Sequence, residues 1–340
     1  MTTASKKKTP REQITLEFPD NSLLPELAGA HQRNFVALEQ KLGVRVATRG
    51  NLISLEGTDQ SRMRAANVLR ALYARIEAGE SASPADVDAE IHFAMEGAAK
   101  AVSSGVGSPT LKTWSGRTTR ARTQGQLAYL DLMRTHPLVF GVGPAGTGKT
   151  YLAAAYGAHL LHERRVERLI LSRPALEAGE RLGFLPGDLR EKIDPYLRPL
   201  YDALFEVMGE QCSRLMEQGI IEVAPLAFMR GRTLSRAFVI LDEAQNCTPA
   251  QMRMFLTRLG EDSRMVVTGD PSQSDLPGDG AFGLDQALSI LRGVEGAAIA
   301  RFGEKDVVRH ALVTRIVAAY TKADGEARSE RDSRRRKDPL

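Results

Sequence analysis

The sequence predicts an α/β fold, a mostly parallel sheet flanked by helices and preceded by a small α/β module. Three observations carry that prediction. From Gln126 to Tyr320, strand-like and helix-like patterns alternate, as in parallel sheets with helices on both faces. Several of the strand candidates are continuous apolar runs, expected of strands buried on both sides. Within this region Gly143-Pro144-Ala145-Gly146-Thr147-Gly148-Lys149-Thr150 lies between the apolar run 138–142 and the helix-forming Tyr151-Leu152-Ala153-Ala154-Ala155. That is a P-loop in the strand-then-helix context the motif requires.

Size and composition bound the rest. A chain of 340 residues has room for two or three domains. With 42% hydrophobic and 26% charged residues, it reads as a globular protein rather than a disordered one, and no apolar run is long enough to span a bilayer. The start, MTTASKKKTPREQ, has charge but no apolar stretch behind it, so a secretory signal is not expected. Cys212 and Cys247 lack metal-ligand spacing and read as reduced thiols of a cytoplasmic protein. The net charge of +4 and pI near 9.1 lean towards a polyanionic partner. Much of that excess sits in Lys6-Lys7-Lys8 and Arg334-Arg335-Arg336-Lys337, and solvated tails are the alternative reading.

In chain order, residues 1–12 form a basic tail and 13–78 a small α/β module. Ile14 to Phe18 alternates with period two, Leu27 to Leu42 carries helical spacing, and Val44 to Thr48 alternates again. Arg49-Gly50-Asn51 then turns into Leu52–Gly57 as a hairpin. A helix from Asp59 to Glu77 closes the unit, with Met63, Ala66, Leu69, Leu72 and Ile76 on one face. Residues 79–122 are a linker, with a short helix from Asp86 to Lys100, a break at 103–109 and the basic stretch 117–122. The main domain spans 123–322, with strands at 138–142, 168–172, 220–224, 237–242, 264–268 and 297–300, and 323–340 is a charged tail.

The P-loop binds a nucleoside triphosphate on this reading. Gly143, Gly146 and Gly148 let the backbone curl around an anion, with N–H groups and the helix N-terminus facing phosphate oxygens. Lys149 reaches the β- and γ-phosphates, and Thr150 offers its hydroxyl to Mg²⁺. Phe238-Val239-Ile240-Leu241-Asp242-Glu243 is a buried strand delivering two carboxylates at its C-terminal end, where open α/β sheets bind ligands. Asp242 would hold Mg²⁺ and Glu243 polarise the attacking water. The strand 264–268 ends in Thr268, Asp270 and Gln273. Gln273 could touch a γ-phosphate or its water, or the segment could be an ordinary polar turn. Arg173, after the strand 168–172, faces either a phosphate or a surface partner, Glu177 or Glu180. Arg309 is placed for an arginine finger or, alternatively, for pairing with Asp306.

GPAGTGKTYLA, SRPALEAGERLGFLPGDLREKIDPYLRPLYDAL, PLAFMRGRTL, FVILDEAQN, MFLTRLG, VVTGDPSQ and DVVRH follow one another in that order. This series resembles the PhoH-like ATPases from about Arg120 to Tyr320, and the N-terminal module is similar to the one these proteins carry. The resemblance implies a RecA-like core, ATP with Mg²⁺, a cytoplasmic location and a link to RNA metabolism. The motif style is that of superfamily-one helicases, in which a Gln upstream of the P-loop reads adenine. Gln126 matches that place, and Gly269, Asp270 and Gln273 match their Gly-Asp-x-x-Gln pattern. The match also favours the arginine-finger role for Arg309. The chain departs from the family pattern at Ser274 and over Gly280-Ala281-Phe282-Gly283-Leu284, which puts the loop after Gln273 in doubt.

The N-terminal module resembles a KH unit in its strand and helix order. Gly29-Ala30-His31-Gln32 lies near the place of the Gly-x-x-Gly loop that clamps nucleotides, but Gln32 stands where the second glycine would be. RNA binding and a structural or protein-binding role both remain open for it. Fewer than a hundred residues follow the Asp242-Glu243 strand, and they are needed to finish the sheet, so a second helicase lobe is expected from another subunit of a homo-oligomer such as a ring. The leading function is an ATPase acting on or near RNA, with helicase-like activity or a role in RNA or ribosome maturation. An ATP-dependent scaffold that docks an RNA-processing partner is the alternative, and a kinase reading is weak because no pocket for a substrate hydroxyl can be named.

Overall fold

The computed structural model describes residues 13–95, 110–112, 114, 118–174, 189–274, 282–308, 313 and 316. The N-terminal module runs β1 (Gln13–Glu17), α1 (Leu24–Ala28), α2 (Arg33–Leu42), β2 (Arg45–Arg49), β3 (Leu52–Glu56), α3 (Asp59–Glu77) and α4 (Pro84–Met95). Its antiparallel sheet has the order β1-β3-β2. Alternation sends Leu16, Ile53 and Leu55 inward to meet Leu38, Leu69 and Leu72. Gly50, at φ 61°, makes the tight hairpin between β2 and β3.

Two expectations for this module are corrected. The apolar spacing from Leu27 to Leu42 belongs to two helices rather than one. α1 ends at Gly29 (φ 70°), whose N–H donates to the Pro25 and Glu26 carbonyls, and His31 and Gln32 also adopt left-handed backbones. The buried Asn34 amide closes this loop by donating to the Leu27 carbonyl at 3.0 Å. Met63 is half exposed, and Arg62 takes the buried position beside it, 3.0 Å from Asp59. The aliphatic stem of an arginine suits such a site when its head group is paired. α4 packs on α2 and α3, adding Val87 and Ile91 to the same core.

Two short strands, β4 (Leu111–Lys112) and β5 (Thr118–Thr119), lead into the main domain. There follow α5 (Gln124–Thr135), β6 (Leu138–Val142), α6 (Lys149–His162), β7 (Arg168–Arg173), α7 (Leu189–Met208), α8 (Gln211–Glu217) and β8 (Ile221–Pro225). Then come β9 (Ala237–Leu241), α9 (Pro249–Leu256), β10 (Arg264–Gly269), α10 (Gly283–Ile290) and β11 (Ala297–Arg301). All six core strands pair in parallel in the order β11-β6-β10-β9-β7-β8. The fold is the RecA-like α/β sheet that the sequence predicts, each strand lying within a residue of its expected place.

The strands bury both faces by alternation. Val139, Leu169, Leu171, Phe238, Ile240 and Val266 point to the α5–α6–α7 side. Phe140, Ile170, Val239, Leu241, Met265 and Val267 point to the side of α9 and α10. Gly157 brings α6 down onto the sheet: a Cβ there would lie 2.6 Å from Phe238 and 2.7 Å from Leu169. The two units meet where Arg120 pairs with Glu80 at 2.6 Å and the His92 ring contacts the Lys305 carbonyl at 3.1 Å. Among the described residues no helix is long and apolar enough to cross a membrane. Cys212 and Cys247 are buried free thiols, pushed up to about 11 and about 12 by burial, so neither is a ready nucleophile.

Candidate functional site

Because every core strand runs the same way, their C-terminal ends share one edge of the sheet. Register sets Gly269 beside Val142, Val267 beside Leu241 and Ser172 beside Leu241. Gly143, Asp270, Asp242 and Arg173 therefore emerge side by side. Asp270, Asp242 and Arg173 border a cleft of about 480 Å³ that also takes in Lys149, Thr150, Glu243 and Gln273, with Asp202 and Glu206 of α7 on its far wall.

The P-loop has the backbone its glycines allow. Gly143, Gly146 and Gly148 have φ of 144°, 82° and 79°, and Gly143 has no space for a Cβ because the Phe302 carbonyl lies against it. Lys149 begins α6 and folds its ammonium back across the loop, donating to the Gly143 and Pro144 carbonyls at 2.6 and 2.8 Å. Those carbonyls hold the charge in place until a phosphate competes for it.

Asp242 is 4% exposed. Its Oδ1 accepts from Thr150 Oγ1 at 2.6 Å and from Thr268 Oγ1 at 2.7 Å, and Arg173 Nε lies 3.4 Å from Oδ2. Burial raises its pKa above the ordinary value; Arg173 opposes this, Glu243 adds to it, and the two hydroxyls pull it down. A hydroxyl on a carboxylate beside a P-loop is the oxygen pair that can hold a hard cation, with phosphate oxygens and water completing the shell.

Glu243 stands in a left-handed backbone at φ 53°, which turns its carboxylate back over the strand end. Its Oε1 accepts from Arg173 at 2.6 Å and its Oε2 from the Gln245 amide at 2.6 Å. Gln245 in turn accepts from the Asp270 N–H at 3.0 Å. Asp270 accepts from Ser272 on one oxygen and from Gln273 Nε2, at 2.7 Å, on the other. Glu243, Gln245, Asp270 and Gln273 are thus one hydrogen-bonded chain along the lip of the cleft.

The cleft unites Thr150, Asp242, Glu243, Gln273 and the P-loop. Gln126 lies beside the P-loop. It is 4% exposed, its amide donates to the Thr147 carbonyl at 3.0 Å, and its oxygen accepts from the Arg122 N–H at 2.6 Å. In this arrangement it braces the P-loop. Arg173 lines the cleft, where its partners are Asp242 and Glu243; Glu177 and Glu180 lie outside the described residues. Arg309 lies outside them as well; the preceding Val308 donates from its N–H to the Gly146 carbonyl at 2.9 Å. Asp306 caps α5 through Thr123 and the Gly125 N–H. The sequence reading gave no role to Gln245, Asp202 or Glu206. Position alone marks Gln245, two residues after Glu243.

A family model described as PhoH-like protein matches residues 118–321, more than half of the chain. This chain belongs to the PhoH-like family. The PhoH-like protein of Bacillus subtilis (strain 168) is 49% identical over 308 residues, covering 90% of this chain and 96% of that one. Protein PhoH of Escherichia coli (strain K12) is 49% identical over 205 residues, 59% of this chain and 58% of that one. Among solved structures, the Sulfolobus solfataricus SWI2/SNF2 ATPase core in complex with dsDNA is similar at 15% identity, covering 43% of this chain and 31% of that chain with a TM-score of 0.29. That likeness is too distant to bear on the site. Family, sheet and P-loop together make this a nucleotide-binding protein of the P-loop NTPase class.

Arg173 is the counter-charge of two adjacent carboxylates, and its removal has a defined pH signature. A carboxyl with its folded pKa above its unfolded one binds more protons in the folded state, so its charge costs stability as pH rises through that window. Arg173→Ala is expected to destabilise the protein at neutral pH by about 2 kcal/mol, less than truncating one partner of a fully buried pair because Glu243 keeps contact with solvent. The deficit is expected to narrow as pH falls through the raised Asp242 value. Thermal melts of both proteins across that range check this; an equal deficit at every pH would refute the assignment.

Proposed function

We propose that this protein is a Mg²⁺-dependent ATPase whose turnover is coupled to RNA. The observation that carries the ATPase reading is the buried Asp242 carboxylate held against Thr150 of the P-loop with Glu243 beside it. Adenine as the base follows from the family resemblance alone. The loop N–H groups of Gly143 to Gly148 and the Lys149 ammonium would bind the phosphates, the ammonium leaving the Gly143 and Pro144 carbonyls as it does so. Thr150 and Asp242 would hold Mg²⁺, which would neutralise charge on the phosphates. Glu243 would then orient a water and accept its proton, once its oxygen is shared with that water instead of with Arg173. Gln273 would contact the same water or the γ-phosphate, and Arg309 would stabilise transition-state charge.

Glu243→Gln is expected to keep ATP binding and slow hydrolysis by about 10²–10³-fold. Lys149→Ala is expected to lose binding and turnover together. Binding of a fluorescent ATP analogue and single-turnover phosphate release measure both. Near-normal turnover in Glu243→Gln would remove Glu243 from its role.

The RNA reading would draw on the N-terminal module, whose elements follow the order strand, two helices, two strands, helix, and which we read as a KH-like unit. Gln32 has φ 58°, a conformation a glycine takes easily, so the loop at 29–32 has a left-handed turn without its second glycine. Among the described residues β2 pairs only with β3, and its exposed Arg45 and Arg49 present positive charge along an edge suited to a phosphate backbone. RNA is expected to raise ATP turnover, and Arg45→Glu with Arg49→Glu to abolish the rise while leaving basal turnover intact. No response to RNA in the unmodified chain would favour the alternative, an ATP-dependent scaffold for a partner in RNA or ribosome maturation.

The described residues contain one nucleotide-binding sheet, so we place the second surface that closes on the nucleotide on another copy of the chain, with Arg309 reaching across. Light scattering with and without ATP tests this: robust hydrolysis by a species that stays monomeric would exclude it.

A further inference from the structure

The opposite edge of the core sheet carries a second concavity, far from the P-loop. Glu167, Arg236 and Ser263 each immediately precede a core strand, and the groove that they border with the end of α6 measures about 450 Å³. Four guanidinium groups line it, those of Arg164, Arg165, Arg236 and Arg264, against two carboxylates, Glu167 and Asp262. Two of the four have protein partners. Arg236 lies 2.8 Å from Glu167, and Arg264 donates to the Met133 and His136 carbonyls at 2.9 and 3.1 Å. Arg164 and Arg165 are exposed, and their side chains form no hydrogen bond or ion pair among the described residues.

Two further observations bear on this groove. Arg164, Arg236 and Asp262 hold left-handed backbones at φ of 57°, 50° and 55°, a conformation that a glycine would take without strain. At Arg164 the left-handed position just past a helix end is filled by an arginine whose side chain has no partner among the described residues. Tyr156, 5% exposed, has a hydroxyl with no hydrogen-bond partner among the described residues. Burial raises its pKa, and Arg264, Arg165 and Arg134 oppose that rise, so their positive field reaches into the protein beside the groove.

We infer that this groove is a phosphate-binding site separate from the nucleotide cleft and that it takes the sugar–phosphate backbone of single-stranded RNA. Forked guanidinium groups match phosphate oxygens in geometry. No aromatic side chain lines the groove, so bases have nothing to stack on, and the backbone is what it can grip. An acidic polypeptide fits less well, because stable protein docking needs buried apolar anchors, and Pro137, Leu160 and Val166 are all the groove offers. α6 connects the sites: it starts at Lys149 in the P-loop and ends at the groove, about 21 Å away at 1.5 Å per residue.

The inference rests on the RNA reading only for the source of the phosphate, and a second probe separates the two. The test uses the full chain, unmodified and as Arg164→Gly with Arg165→Ser; glycine suits the left-handed position, so the double variant should fold. Anisotropy of labelled oligo(U) is followed from about 50 to 200 mM salt, and pyrophosphate binding by calorimetry with the P-loop filled by a non-hydrolysable ATP analogue. The variant is expected to bind oligo(U) at least about fivefold more weakly, with a salt slope lower by about 1.4, and to bind the ATP analogue normally. Unchanged oligo(U) binding with lost pyrophosphate binding would make the ligand a free phosphate compound. If the unmodified chain binds no oligo(U), the RNA reading fails while the pyrophosphate arm still decides the groove. Unchanged binding of both probes, or loss of the ATP analogue as well, would overturn the inference.

Discussion

The cleft depends on one carboxylate buried where charge is expensive. Asp242 sits at the end of β9 almost without solvent, and an unpaired ion in that position would protonate rather than stay. Two hydroxyls and an arginine make it tolerable, and each arrives from a different neighbour: Thr268 from β10, Thr150 from the P-loop helix and Arg173 from β7. Strand order makes this possible. With β10 between β6 and β9, the Asp242 strand lies two spacings from the P-loop strand, about 9.6 Å. Thr268 fills the intervening position from the side, buried against the Asp242 carboxylate.

Glu243 is held differently. Its left-handed backbone breaks the line of the strand, which costs energy that a glycine would avoid but turns the carboxylate away from Asp242 and towards the cleft. The arrangement is stabilised by Arg173 on one oxygen and Gln245 on the other. Gln245 is nearly buried and spans two strand ends, so truncating it would leave the Asp270 N–H without its acceptor and Glu243 without one of its two donors. The lip of the cleft is therefore better viewed as a single hydrogen-bonded unit than as separate motifs after β9 and β10.

What was legible in the sequence is what short stretches determine by themselves. Several of the core strands announce themselves as apolar runs, because a strand covered on both faces needs apolar residues at nearly every position. The P-loop glycines and the Asp242-Glu243 pair are adjacent in sequence and need no knowledge of the fold. The misreadings share a cause. Leu27, Phe35, Leu38 and Leu42 keep a helical beat across the break at Gly29 because both helices pack on the same core. Arg62 replaces Met63 in the core because a paired arginine can lie flat where hydropathy expects a methionine. Arg173 finds Glu243 only because β7 and β9 are neighbours, a fact of topology absent from either segment. Gln126 is at its expected place in the chain, yet spacing could not say whether its amide would meet a base or the Thr147 carbonyl.

The P-loop illustrates how far a contiguous motif falls short of a site. Eight residues specify its curl, but what holds the curl steady comes from elsewhere. Gln126 supports it at Thr147, Phe302 packs its carbonyl against Gly143, and Val308 donates to Gly146. Those last two residues follow β11, and Asp306 between them caps the helix that carries Gln126. The segment after the last strand is therefore tied to the P-loop directly and again through α5. A displacement of that segment would release Gly146 and the Thr123 cap together. A nucleotide cleft built this way is shaped by the end of the main domain as much as by its signature motif, and the segment 302–308 belongs to it as fully as Lys149 does.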